Sequence, residues 1–331
     1  MTENEVGVVA IGRNEGERLR RCLLSLVGGG LPIVYVDSGS TDGSVQLAVS
    51  LGATVVELDL STPFTAARAR NAGFSRLLEL QPAVKYVQFV DGDCEVHTTW
   101  LSAAVEALSA EAEVVAVCGR RRERFPDASI YNRLCDIEWN TPVGEATACG
   151  GDAMFRVSSL REVDGFDATL IAGEEPDLCL RLRRLGGRIL RLDAEMTVHD
   201  ADMHHFAQWW KRSRRAGYAF AQGAHRHGKG PERHWVKPAR SGMFYGAFLP
   251  IATVVTLPVT RGWSALTLGA YIITYHRAKR SLIRRGFSPA DASLFARYCV
   301  IGKFSEAIGG LSYLRDRLLK RQQRIIEYKG Q

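Results

Sequence analysis

The chain of 331 residues lacks several things, and each shortage narrows what it can be. Its seven cysteines (Cys22, Cys94, Cys118, Cys135, Cys149, Cys179 and Cys299) include no C-x-x-C pair, which argues against a metal cluster. They read as reduced thiols of a cytosolic compartment. The opening MTENEVGVVAIGRNE has no basic segment followed by an apolar core, so no signal peptide is expected. Internal repeats and low-complexity tracts are absent. Long apolar runs are missing as well: the most apolar stretch, 243–275, is interrupted by Pro250, Pro258 and the pair Arg261–Gly262. Its halves, 243–260 and 262–275, are shorter than the roughly 20 residues a straight membrane-spanning helix needs. Acidic residues nearly vanish late in the chain. Residues 1–200 carry 20 Lys and Arg against 30 Asp and Glu, a net of −10, whereas residues 201–331 carry 23 against 6, a net of +17. An acidic first part suits cation chemistry; a basic second part suits an anionic surface.

What is present is enough for a full core, at 46% hydrophobic residues. Short β-branched runs alternate with helical patterns over the first 120 residues. Strands are expected at 6–11, 32–37, 53–58, 85–90 and 113–119, with helices near 15–26, 41–52, 64–80 and 98–109. Such alternation predicts an α/β fold with a mostly parallel sheet covered by helices on both faces. A further helix is expected in GEEPDLCLRLRRLGG (173–187), with acids at its N-terminus, Arg at its end and Gly186 as a stop. RILRLD (188–193) reads as another strand. The division expected is a domain over 1–200 and a basic, helical region over 201–331.

Ligands in parallel sheets bind at the carboxyl ends of strands. Asp37 and Asp91 each end a predicted strand and should converge, 54 residues apart though they are. The segment KYVQFVDGDCEV (85–96) adds Asp93 one residue beyond Asp91. Two carboxylates so close call for a positive partner. Three uses fit an Asp-x-Asp at a strand end. It can hold a hard divalent ion against a diphosphate, act in phosphoryl chemistry as in some phosphatases, or cap the following helix. The phosphatase pattern belongs on a first strand, whereas this one lies on about the fourth.

Five ordered segments resemble the family 2 glycosyltransferases, inverting enzymes of the GT-A fold: VVAIGRNEGERLRRCLLSL, VYVDSGSTDGS, ARARNAGF, FVDGDCEV and VDGFDATLIAGEEPDLCLRLRRLG. The resemblance runs from Val6 to about His199. It implies a nucleotide-sugar donor held by Arg13, Asn14, Glu15, Asp37, Arg70, Asp91 and Asp93, with Asp37 on the base and Arg70 on the diphosphate. It implies a divalent cation, Mn²⁺ or Mg²⁺, ligated by Asp93 with Asp91 and with His199 as a third ligand. The family's base is the Asp of a Glu-Asp pair, which here reads Glu174–Glu175; Glu175 is therefore the expected base and Glu174 its substitute. Gly150, Gly151 and Asp152, in the Gly-rich turn TACGGDAMFR, are expected on the acceptor side, together with Trp209 and Trp210.

QWWKR (208–212) keeps Gln208 but lacks the Arg and Trp of the Q-x-x-R-W pattern found in processive members, so single-sugar transfer is implied. The broken apolar stretch followed by HRAKR (276–280) reads as a helical hairpin in or on the cytoplasmic face of the plasma membrane. A glycan or lipid-linked acceptor in cell-surface polysaccharide synthesis follows. A nucleic-acid partner does not, because a solvated groove would not adjoin the mostly apolar stretch 243–275. The alternative is a phosphatase or nucleotidyltransferase using the same aspartates.

Overall fold

The computed structural model describes residues 5–27 and 30–320; residues 321–331 of the expected C-terminal region lie outside the described residues. Two compact units emerge, one made of 1–124 and 138–201, the other of 125–137 and 202–331. Their last junction falls between Ala201 and Asp202. Residues 125–137, expected in the first domain, fall in the second unit. The physical reason is long-range: Ile137 is buried with Leu282 and Ala292, and Arg133 grips Asp291 through two bonds of 2.8 and 2.9 Å.

The first unit is built on a nine-stranded sheet: β1 (Val6–Gly12), β2 (Ile33–Asp37), β3 (Thr54–Glu57), β4 (Tyr86–Asp91), β5 (Cys94–Val96), β6 (Val114–Glu123), β7 (Gly144–Glu145), β8 (Ala153–Arg156) and β9 (Arg188–His199). The order is β3-β2-β1-β4-β8-β6-β9-β5, with β7 pairing β9. The half formed by β3, β2, β1 and β4 is parallel, while β8 runs antiparallel between β4 and β6. β1, β2 and β4 are buried almost throughout, because helices cover both faces and their sequences are near-continuous apolar runs. β6 continues four residues beyond Gly119, the expected end, through the charged run Arg120–Glu123, which pairs with the end of β9.

The helices of this region are α1 (Glu17–Leu24), α2 (Ser44–Ser50), α3 (Ala66–Leu80), α4 (Trp100–Ala110), α5 (Ile130–Trp139, mostly in the second unit), α6 (Val157–Glu162) and α7 (Glu174–Arg184). Helix α1 buries Leu19, Cys22 and Leu23, one face of its 3.6-residue period. Thr65 starts α3 by accepting a 3.1 Å bond from the Arg68 amide. α3 then lies close on the sheet at Gly73, where a Cβ would stand 2.4 Å from Val9 Cγ1 and 2.8 Å from Val36 Cγ2.

The second unit continues with α8 (Phe206–His227), α9 (Val236–Met243), α10 (Leu249–Thr256), α11 (Gly269–Arg284) and α12 (Pro289–Leu318). α8 and α12 touch backbone to backbone. A Cβ at Gly217 would lie 2.1 Å from the Glu306 carbonyl oxygen, and one at Gly309 2.1 Å from that of Arg214. α9 and α10 are joined by a π-helical turn, Phe244–Phe248, just before Pro250, whose ring and missing N–H disturb the α-helical bonding. The chain reverses at Arg261 and Gly262, both at positive φ, and returns through a 3₁₀ segment, Trp263–Leu268, into α11. Among the described residues no helix is long and apolar enough to cross a membrane.

Gly73 yields a test of the packing. Alanine would favour helix α3 intrinsically by about 1 kcal/mol, but its methyl group meets two β-branched side chains fixed on strands. Overpacking should dominate, and Gly73→Ala should lower unfolding free energy in urea by about 1–3 kcal/mol.

Candidate active site

The sheet register decides where the strand-end residues go. Gly12 pairs with Asp37, and Ile11 pairs with Asp91, so the two aspartates flank the end of β1 on one edge of the sheet. Two strand spacings put their backbones roughly 10 Å apart.

Asp91 is held from two sides. Its amide donates to Asp152 Oδ1 at 3.0 Å, and its Oδ1 accepts from Arg70 Nη2 at 2.8 Å. The other terminal nitrogen of Arg70 donates to Glu174 Oε1, also at 2.8 Å. Arg70 thus joins the carboxyl end of β4 to the N-terminus of α7 through a guanidinium that is 3% exposed. Burial opposes its charge, but Asp91 and Glu174 together raise its pKa above the ordinary arginine value. With each terminal nitrogen bonded to one carboxylate, the fork positions the two carboxylates.

Gly151 lies against this pair. A Cβ there would be 2.7 Å from Arg70 Nη2 and 2.9 Å from Asp91 Oδ2, so only glycine lets the loop pass. Asp152, next in sequence, is fully buried and accepts from Thr197 Oγ1 at 2.9 Å, with Arg121 Nη2 at 3.0 Å. At the other end of the loop the Cys149 amide donates to Glu175 Oε1 at 2.6 Å. Gly150, at positive φ, connects the two. The loop 149–152 therefore ties Asp91, Arg70 and both α7 carboxylates into one cluster. Glu175 is buried, and the same Oε1 also accepts from the thiols of Cys149 and Cys179.

Beyond Asp91 the chain turns, and Asp93 Oδ2 comes to 3.2 Å from His199 Nε2 at the end of β9. Burial, aided by the charge of Arg121, pushes the His199 pKa down to about 4 and leaves the ring neutral. Its Nδ1 is buried without a hydrogen-bond partner and faces Glu123 Oε2 at 3.9 Å. A carboxylate oxygen and an imidazole nitrogen about 3 Å apart match the bite of two ligands held at about 2.1 Å from one small ion. A carboxylate behind the second ring nitrogen is the usual arrangement of a metal-binding histidine. The residues present fit a divalent cation at Asp93 and His199.

The remaining donor-side residues act locally. Asn14, at φ 54, accepts from the Thr41 amide at 2.7 Å and so joins the ends of β1 and β2; it does not cap α1. Asp37 is 2% exposed; its oxygens accept from Tyr35 Oη, at 3.1 Å, and from the Gly39 and Ser40 amides, at 2.9 and 2.8 Å. It shapes the turn after β2. Arg13 stacks over Phe64 at 4.9 Å, and Glu15 pairs with Arg18 at 2.9 Å. Trp209 and Trp210 lie on α8 in the second unit, where Trp209 packs edge-on against Tyr298 at 4.7 Å.

Sequence reasoning missed Arg121, Glu123, Thr197 and Trp139, whose ring meets His199 edge-on at 4.5 Å. The first two lie on β6 beyond its expected end at Gly119, in the charged run Arg120–Glu123. In all, Asp91, Asp93, Asp152, Glu123, Glu174 and Glu175 face Arg70, Arg121 and a neutral histidine. The surplus is negative, and a cation would offset it.

Comparisons with known proteins agree with this picture. Residues 8–163 match the profile described as Glycosyl transferase family 2. The chain is 28% identical over 213 residues to the Pre-mycofactocin glycosyltransferase of Mycobacterium tuberculosis, covering 60% of this chain and 43% of that protein. It is 24% identical over 181 residues to Glycosyltransferase AglE of Haloferax volcanii, covering 51% and 58% respectively. The chain thus spans about half the length of the curated relatives it matches. Among solved structures, the Mannosyltransferase PcManGT from Pyrobaculum calidifontis, in complex with GDP-Man and Mn²⁺, superposes with a TM-score of 0.61 at 19% identity, over 95% of this chain and 88% of that one. The fold is GT-A.

Arg70→Leu should remove the guanidinium that two neighbouring carboxylates share. Thermal or urea unfolding should show a loss of about 3 kcal/mol, with most of it recovered in the triple variant Arg70→Leu/Asp91→Asn/Glu174→Gln. Equal stability of wild type and Arg70→Leu would contradict the bridging role.

Proposed function

We propose that this chain, whose residues 8–163 match the glycosyl transferase family 2 profile, moves one sugar from a nucleotide-diphosphate sugar to an acceptor hydroxyl with inversion. The observation that carries the reading is the clamp in which Arg70 joins Asp91, on the donor edge of the sheet, to Glu174, beside the expected base. Donor and acceptor chemistry need to meet at one point, and here one side chain links the residues expected of each.

The donor lies along the ends of β1, β2 and β4, its base toward Asp37 and Asn14. Asp93 and His199, near Asp91, would hold a Mn²⁺ or Mg²⁺ ion, which would supply positive charge next to the leaving diphosphate. The chain's own residues do the rest. Arg70 fixes the Asp91 carboxylate, and Gly151 passes against that pair without a side chain. Glu175 takes the proton of the attacking hydroxyl. One of its oxygens is anchored by the Cys149 amide, which sets the direction of the carboxylate. Glu174, bound to Arg70, positions rather than accepts. The phosphoryl-transfer alternative loses ground to the family match and to an Asp-x-Asp on the fourth strand rather than the first.

The acceptor is read as a glycan or lipid-linked saccharide presented at an anionic membrane surface. Phe248, Ile251, Val255, Val259, Trp263 and Leu266 of the hairpin are all exposed. Arg277, Arg280 and Arg284 follow on α11, and no Asp or Glu occurs between Glu232 and Asp291. Apolar contact with the interface and about 1 kcal/mol per basic residue near anionic lipid favour peripheral attachment.

Two measurements test these statements. With a panel of nucleotide sugars and Mn²⁺, one donor should raise the melting temperature of the wild type, and Asp93→Asn should abolish the shift. Glu175→Gln should keep that shift while transfer falls by about a hundredfold or more; unimpaired turnover removes Glu175 from the mechanism. On vesicles, the full chain should cosediment with anionic but not neutral bilayers, and Ile251→Asp/Val255→Asp should release it. Binding that ignores lipid charge or these substitutions contradicts the membrane face.

A further inference from the structure

A second cluster of ligand-type atoms sits behind the proposed base. Cys149 Sγ and Cys179 Sγ are 3.5 Å apart, and Glu175 Oε1 lies 3.2 Å from the first and 2.8 Å from the second. Cys179 is fully buried, four residues along α7 from Glu175 and so on the same helical face. Cys149 as a residue is partly exposed, while its sulfur is enclosed among the other donors. Cys118, buried on β6, is near enough that Glu175 and Cys179 help burial push its thiol up to about 12.

We infer that Cys149, Cys179 and Glu175 form a binding site for a thiophilic divalent cation of the zinc class, separate from the Asp93–His199 pair. Three donors of types S, S and O make a set that zinc accepts. In a zinc tetrahedron neighbouring donors stand about 3.6–3.8 Å apart, so loading widens this triangle by less than about 1 Å, within the reach of side-chain rotation. Softness separates the two sites. Thiolates favour zinc-like ions, whereas the carboxylate and imidazole at Asp93 and His199 accept Mn²⁺ or Mg²⁺. Binding forms two metal–sulfur bonds and one metal–oxygen bond, and each thiol gives its proton to solvent.

The consequence rests on the proposed role of Glu175. An ion bound through its Oε1 removes that carboxylate from proton transfer, so zinc at this site should switch transfer off while the Mn²⁺ at Asp93 stays in place.

The test uses the full chain stripped of metal by chelator, with Mn²⁺ supplied. Co²⁺ titration should give one equivalent with a thiolate-to-cobalt charge-transfer band in the near ultraviolet. Zn²⁺ should bleach that band and protect Cys149 from alkylation, a readout on the wild type that needs no substitution. Cys149→Ser/Cys179→Ser should lose the band, whereas Asp93→Asn and Cys299→Ser should keep it. Zn²⁺ should slow wild-type transfer by about a hundredfold or more relative to the zinc-free rate, and the double variant should show no such ratio against its own zinc-free rate. Absence of the band, or a band that survives Cys149→Ser/Cys179→Ser, overturns the site. A band without inhibition preserves the site and overturns Glu175 as the base.

Discussion

The buried guanidinium of Arg70 is the constraint on which the rest of this site depends. A charge at 3% exposure survives only where partners replace water, and Arg70 has two, Asp91 and Glu174, each at 2.8 Å. Those partners come from a strand end and a helix start 83 residues apart in sequence. One side chain therefore fixes the distance between the edge of the sheet and the N-terminus of α7. A lysine could not do this, since a single ammonium lacks the two parallel donors that reach opposite ways.

Around that clamp the loop 149–152 acts as a strap. Its Cys149 amide holds Glu175, its Gly151 passes close over Arg70 and Asp91, and its Asp152 accepts the Asp91 amide. Asp152 in turn meets Thr197 and Arg121, which leads to β9 and His199. The backbone that packs closely on Arg70 and Asp91 is thus the same backbone that aligns the carboxylates. Chemistry and packing are not separable here: a Cβ at Gly151 would disturb Asp91 by sterics alone.

Much of this was legible from sequence, for physical reasons that can be named. Buried parallel strands are near-continuous apolar runs, so β1, β2 and β4 announced themselves, and the rule that ligands bind at strand carboxyl ends brought Asp37 and Asp91 together. The pairings Gly12 with Asp37 and Ile11 with Asp91 realise that convergence. Other features were hidden. Arg121 and Glu123 lie on the continuation of β6 beyond its expected end at 119; their burial depends on β9, whose paired residues are 76 positions away. The transfer of 125–137 to the second unit depends on Arg133 meeting Asp291, a long-range pair no local pattern reports. Likewise the adjacent Glu174 and Glu175 are alike in sequence and differ only in what α7 turns them toward, Arg70 in one case and Cys149 in the other.

The central claim is that the negative surplus at this edge receives a cation alongside a nucleoside diphosphate. Crystals grown with Mn²⁺ and a nucleoside diphosphate, measured at the manganese absorption edge, address it directly. The account predicts one anomalous peak between Asp93 and His199, bridging to the diphosphate, with the nucleoside over the ends of β1 and β2. Manganese elsewhere, or a nucleotide bound away from that edge, would contradict it.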